Sequence, residues 1–130
     1  EDALRAAATR AAAQAEARGE WAVRLTAVEL ADLPFTQQLP LFRSAAILTG
    51  MHGAGYANLI FLTPGSVVAE MCPLGYCTNS YERIAPLLGL TYVRWTNSIQ
   101  ANAKRNYDTV VDEAQFLAFM QRASKLWRAG

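Results

Sequence analysis

The sequence predicts an α/β fold: a parallel sheet of about four strands with helices on its faces. Two observations carry that prediction. Short apolar runs alternate with helical segments along the whole chain, which is the pattern of strands joined by helical crossovers. Glycine and proline turns punctuate the apolar runs at Gly50, Gly53, Gly55, Pro64-Gly65 and Gly89. The 130 residues fit one domain, and 52% hydrophobic with 18% charged residues suits a packed core. A net charge of +1 gives no polybasic footprint for nucleic acid or an anionic membrane. The longest apolar runs fall far short of a membrane span.

In chain order, Asp2 to Arg18 is alanine-rich and helical by propensity, with Gly19 placed to stop it. Trp21 to Val28 alternates Trp21, Val23 and Leu25 with Ala22, Arg24 and Thr26, which predicts a strand near a sheet edge. A short helix follows and ends near Arg43, with Thr36 as N-cap and Pro40 early enough to be tolerated. Ala45 to Thr49 reads as a strand buried on both faces. Ala54 to Leu62 reads as a helix stopped by Thr63-Pro64-Gly65, and Ser66 to Met71 as the next strand. Cys72 to Asn79 is a loop. Asn79 or Ser80 caps a helix to Leu88 that Pro86 kinks or shortens and Gly89 ends. Leu90 to Trp95 is a fourth strand and Thr96 to Thr109 is irregular. Asp112 to Trp127 is a closing amphipathic helix with Phe116, Phe119, Met120 and Leu126 on its apolar side.

Ligands of such sheets bind outside the carboxyl ends of the strands. The stretch from Leu48 to Glu70 puts chemistry there. Its glycines run Gly50-Met51-His52-Gly53-Ala54-Gly55, a G-x-x-G-x-G order that matches neither the dinucleotide fingerprint nor a Walker loop. Small residues at Gly53, Ala54 and Gly55 let backbone amides approach an anion, and the following helix offers its positive end to a phosphate. His52, the single histidine, is placed to donate to a diphosphate oxygen or to act as acid or base, or else to cap the strand end. Glu70 lies twenty positions after Gly50, the offset at which an acid accepts ribose hydroxyls; a strand-end carboxylate paired with an arginine fits as well. Gln38 and Asn58 are weaker candidates for ligand contact. No D-x-D sequence is present, so no metal site is assigned and no cofactor is expected, while a divalent-metal requirement is left open. The C-x4-C pair Cys72 and Cys77 with one distant histidine is a poor zinc site, and reads either as two unpaired residues or as a local disulfide.

These residues resemble glycosyltransferase family 61. The resemblance rests on the G-x-H-G-A-G turn at Gly50 to Gly55, the apolar Leu59-Ile60-Phe61, the Pro64-Gly65 turn, and Val67-Val68 leading to Glu70, with Phe35 and Gln38 upstream. Cys72, Cys77, Tyr81, Ala85, Gly89, Tyr92, Trp95 and Asn106-Tyr107 resemble its branch of EGF-domain-specific O-GlcNAc transferases. The resemblance implies a Rossmann-like C-terminal, donor-binding half of a two-domain GT-B enzyme. Residues 1–130 would form one nucleotide-sugar-binding domain, an inactive fragment lacking its N-terminal partner domain. The donor would be a UDP-sugar such as UDP-GlcNAc, and the acceptor a protein Ser or Thr hydroxyl, on an EGF-like domain, or a glycan. The compartment would be the lumen of the endoplasmic reticulum or Golgi. Three residues depart from the pattern: Tyr56 for a smaller aliphatic residue, Asn58 for the branch's histidine, and Met71 for a proline after the acid. They keep open xylosyl or pentosyl transfer to glycans, or a non-catalytic nucleotide-binding module.

Overall fold

Helix, strand and helix recur down the chain because each apolar run is too short to bury itself alone. The computed structural model describes residues 6, 9, 10, 13, 16–19, 26, 28–73, 77–97 and 112–129. Its elements are a 3-10 turn at Leu30–Asp32, α1 (Phe35–Ser44), β1 (Ile47–Met51), a 3-10 helix at Ala54–Phe61, β2 (Val67–Pro73), α2 (Ser80–Leu87), β3 (Thr91–Asn97) and α3 (Glu113–Ala129). The strands form one parallel sheet in the order β1-β2-β3. The described sheet therefore has three strands. The strand expected over Trp21 to Val28 lies largely outside the described residues, and Thr26 and Val28 belong to no strand. The irregular stretch expected at 96–109 lies outside them from position 98 onward.

Being central, β2 is buried nearly throughout and divides the core by its alternation. Val67, Ala69 and Met71 pack with Val93 and with Phe116, Phe119, Met120 and Ala123 of α3. Val68 faces the opposite layer of Phe42, Tyr56, Leu59, Leu62, Ala85 and Leu90. The i, i+3, i+4, i+7 spacing of the four α3 residues is the buried stripe of an amphipathic helix, and each large side chain so buried contributes about 1.5–3 kcal/mol. Asp112 starts α3 by accepting the Gln115 amide on Oδ1 at 2.9 Å.

Four expectations are corrected. The N-cap of α1 is Pro34, not Thr36; its φ of −60° sets the entry angle without a side-chain bond. β1 begins two residues later than expected and is only half-buried, because it flanks β2 on one side of the described sheet. β2 continues through Cys72 to Pro73, where a loop was expected. The segment after the glycine turn is a 3-10 helix, not an α-helix. Tyr56, Leu59 and Leu62 are all buried while Ala57, Ile60 and Thr63 are exposed. That strict period of three is satisfied by 3.0 residues per turn, where residues i and i+3 eclipse.

The amino ends of β2 and β3 are closed by two turns that need glycine. Gly65 and Gly89 have φ of +95° and +73°, and a Cβ on Gly89 would lie 3.3 Å from Pro64 Cβ. The Gly65 amide donates to the Gly89 carbonyl at 2.8 Å. This leaves the opposite, carboxyl edge for chemistry.

Candidate functional site

Parallel register assembles the site. Gly50 lies opposite Glu70, and Glu70 opposite Arg94. Val68 and Glu70 share a face of β2, as Tyr92 and Arg94 share a face of β3, so an acid, a phenol and a guanidinium converge beneath the glycine turn. His52 follows β1 directly, and its amide extends the ladder by donating to the Met71 carbonyl at 2.7 Å.

The centre is Glu70, which has no exposed surface. Isolating a carboxylate from water costs several kcal/mol unless donors replace the lost hydration. Three cationic or donor groups do so. His52 Nδ1 lies 2.5 Å from Oε2. The Tyr92 hydroxyl donates to Oε1. A terminal guanidinium nitrogen of Arg94 stands 3.7 Å from Oε1. An ionised carboxylate only accepts, so with Glu70 in that form Nδ1 is the donor of the first contact. Arg94 Nε in turn donates to the Tyr92 hydroxyl at 2.8 Å, giving a continuous path Arg94, Tyr92, Glu70, His52. The rest of the guanidinium holds the Thr78 carbonyl at 2.8 Å and Asn79 Oδ1 at 3.3 Å, tying the start of α2 to the site.

Two further phenols fix the glycine turn. The Tyr56 hydroxyl lies 2.6 Å from the Gly50 carbonyl and 2.8 Å from that of Ala69, sharing one proton between them. The Tyr81 hydroxyl donates to the Gly53 carbonyl at 2.9 Å, and its ring lies 5.7 Å from that of His52. Burial, and then the charge of Glu70, push the Tyr56 phenol well above the usual tyrosine range. Burial and the hydrogen bond to Glu70 raise that of Tyr92. A phenol raised in the folded state contributes stability that is complete below the unfolded value, about pH 10, and is lost as pH rises beyond it. The chain is therefore expected to unfold cooperatively on the alkaline side, with tyrosinate absorbance from Tyr56 and Tyr92 rising together with loss of far-ultraviolet dichroism. Ionisation of all tyrosines in a chain that stays folded would contradict this.

The structure places the sequence-predicted residues unevenly. His52 and Glu70 are in contact. Gly50 and Gly53 bracket His52, and Ala54 and Gly55 open the 3-10 helix beside it. Asn58 lies within that helix, half-buried. Gln38 is elsewhere engaged: its amide nitrogen donates to the Leu30 and Leu33 carbonyls at 2.8 and 2.7 Å, bracing the segment before α1. Cys72 and Cys77 form a disulfide with Cα atoms 5.4 Å apart. His52 is not distant from them in space, since one ligand atom from each of His52, Glu70, Cys72 and Cys77 falls within a mutual 4.8 Å. Sequence reasoning did not assign Tyr56, Tyr81 or Tyr92 to the site, and offered Arg94 only beside Arg43 and Arg83 as a cation that could neutralise phosphate. The available signal was the pair Tyr92 and Arg94 at alternate positions of one strand, opposite in phase to the apolar Val93 and Trp95.

Gly53 is informative for a different reason. Its φ of 171° is extended backbone, and a Cβ there would meet nothing nearer than the Met51 carbonyl at 3.9 Å. Unlike Gly65 and Gly89, it is not demanded by the chain's own folding.

Comparison with known proteins bears on this geometry. The family Glycosyltransferase 61 matches residues 5–69, half of the chain, ending one residue before Glu70. The chain is 32% identical over 88 residues to protein O-linked-mannose beta-1,4-N-acetylglucosaminyltransferase 2 of Tetraodon nigroviridis, covering 64% of this chain and 15% of that protein. It is 43% identical over 65 residues to the EGF domain-specific O-linked N-acetylglucosamine transferase of Drosophila melanogaster, covering 48% and 12%. With the Gallus gallus protein of that same name it shares 30% over 98 residues, covering 72% and 18%. The chain thus spans less than a fifth of the length of these relatives. It belongs to glycosyltransferase family 61.

Proposed function

We propose that this chain is the donor-binding part of a two-domain GT-B glycosyltransferase, holding the diphosphate of a UDP-sugar at His52 and the turn from Gly53 to Gly55. The observation that carries this reading is the pairing of buried Glu70 with half-buried His52 beside a glycine turn at the carboxyl edge of a parallel sheet. Glu70 holds Nδ1, which leaves Nε2 for the ligand, and with a proton on Nε2 the ring donates to a phosphate oxygen. As the glycosidic bond breaks, negative charge grows on the β-phosphate, and a donor already oriented there stabilises it without reorganisation. The amides of Gly53, Ala54 and Gly55 add donors, and Gly53 keeps the approach free of a side chain. Glu70 has both oxygens engaged, so its part is to position His52 rather than to reach ribose hydroxyls directly.

The donor is UDP-GlcNAc and the acceptor a protein Ser or Thr hydroxyl or an O-linked glycan; the names of the relatives support this class. The lumen of the endoplasmic reticulum or Golgi is the proposed compartment, in keeping with the disulfide. The base and acceptor site belong to the proposed facing domain. Calorimetric titration of the chain with UDP, UDP-GlcNAc and UDP-xylose tests the reading. UDP and UDP-GlcNAc are expected to bind, and Gly53→Ala to weaken both while leaving the unfolding midpoint unchanged. A folded chain that binds no uridine diphosphate, or a Gly53→Ala chain that binds as tightly as the parent, would overturn it. Preference for UDP-xylose would move the donor to a pentose.

A further inference from the structure

We propose that His52, Glu70, Cys72 and Cys77 form a zinc site that exists only when the Cys72–Cys77 disulfide is reduced. One imidazole nitrogen, one carboxylate oxygen and two sulfurs lie within a mutual 4.8 Å. Tetrahedral zinc with N, O and S ligands at about 2.0–2.3 Å sets its ligand atoms about 3.3–3.8 Å apart, so closing the set requires modest side-chain shifts. Two thiolates with an imidazole select zinc over the hard, oxygen-seeking magnesium and calcium.

The surroundings fit the charge. Two thiolates and one carboxylate against Zn²⁺ leave one negative charge, and the Arg94 guanidinium already faces Glu70 at 3.7 Å. Tyr92 holds the other Glu70 oxygen, which orients the carboxylate as outer-sphere partners orient metal ligands. Glu70 and Cys72 have essentially no exposed surface. Cys77 is half-buried and is the sulfur a reductant reaches. A small dithiol supplies the two electrons. Its thiolate attacks Cys77 Sγ, the Cys72 sulfur leaves and takes a proton, and the second thiol closes the reductant into a disulfide while freeing Cys77. Zinc then displaces both thiol protons to solvent, and the His52 nitrogen that ligates it gives up its own proton to solvent as well. Disulfide and metal use the same sulfurs, so they exclude one another. Metal occupancy also withdraws His52 and Glu70 from the arrangement described above.

The test uses the full chain without any sugar nucleotide, so its outcome is independent of donor binding. The chain is reduced with dithiothreitol, freed of reductant anaerobically, and mixed with Zn²⁺, or with Co²⁺ as a spectroscopic reporter. One metal per chain is expected, with thiolate-to-cobalt charge-transfer absorption, against none in the oxidised chain. His52→Ala and Cys77→Ser are each expected to weaken zinc by more than the roughly 10–100-fold that loss of an outer-sphere contact costs. If reduction unfolds the chain, refolding it from denaturant with zinc is expected to restore near-ultraviolet dichroism at one metal per chain. No stoichiometric zinc under either protocol, equal uptake by the oxidised chain, or unchanged affinity in His52→Ala would overturn the proposal.

Discussion

Glu70→Ala is expected to lower stability by about 2–4 kcal/mol, a fall of roughly 10 °C in the unfolding midpoint. The truncation removes the acceptor for His52 Nδ1 and for the Tyr92 hydroxyl at once, and opens a void in the centre of β2. Each buried donor left unpaired costs about 1–3 kcal/mol. Relief of the desolvation of Glu70 offsets part of this, and Arg94 keeps its contacts to Thr78, Asn79 and Tyr92. Glu70→Gln separates shape from charge. A glutamine keeps an acceptor for Tyr92 and is expected to recover roughly half of the lost stability. Its amide, turned toward Nδ1, asks the ring to accept where it donated, which moves the ring proton to Nε2. Thermal unfolding of the three chains measures the difference. A Glu70→Ala chain within about 0.5 kcal/mol of the parent, the range of inconsequential surface changes, would remove Glu70 from the structural centre of the site.

His52→Ala is expected to weaken binding of UDP by roughly 10- to 150-fold, the equivalent of one charge-assisted hydrogen bond of about 1.5–3 kcal/mol. Alanine also strands one oxygen of Glu70, so it lowers stability as well as affinity. His52→Asn distinguishes the two effects. The asparagine amide nitrogen occupies the place of Nδ1 and still donates to Glu70, while nothing stands at the place of Nε2. Its expected signature is near-parental stability with the same loss of affinity, read by calorimetry. Parental affinity in His52→Asn would remove the ring's second nitrogen from ligand binding and leave His52 as a strand-end cap.

Much of this arrangement was legible from the residues alone. Alternating apolar runs and glycine punctuation placed β1, β2, β3, α1, α2 and α3 within a few residues of where they lie, and put His52 and Glu70 on one edge. What was not legible depends on register. That Arg94 faces Glu70 follows from the pairing of β2 with β3, which no local pattern encodes. Thr36 has the better side chain for a cap, but Pro34 fixes the backbone angle, and the geometry prevails. Gln38 looked like a ligand contact because of its place before the motif, whereas the carbonyls of Leu30 and Leu33 claim its amide first. The 3-10 helix was available to be read. Tyr56, Leu59 and Leu62 recur at a period of three, and a period nearer 3.6 was assumed instead.

The burial of β2 between two parallel neighbours has a kinetic side. Parallel strands meet only after a complete crossover has closed, and both hydrogen bonds of the Glu70 carboxylate span such a closure: eighteen residues to His52, twenty-two to Tyr92. Nothing local can preassemble this constellation in the nascent chain, so it arises late, with the sheet itself. By the same token the backbone beneath it cannot come apart alone. Separating His52 from Glu70 by strand movement means breaking the ladder next to the most protected of the described strands, so a backbone opening that removes the chemistry removes the fold with it.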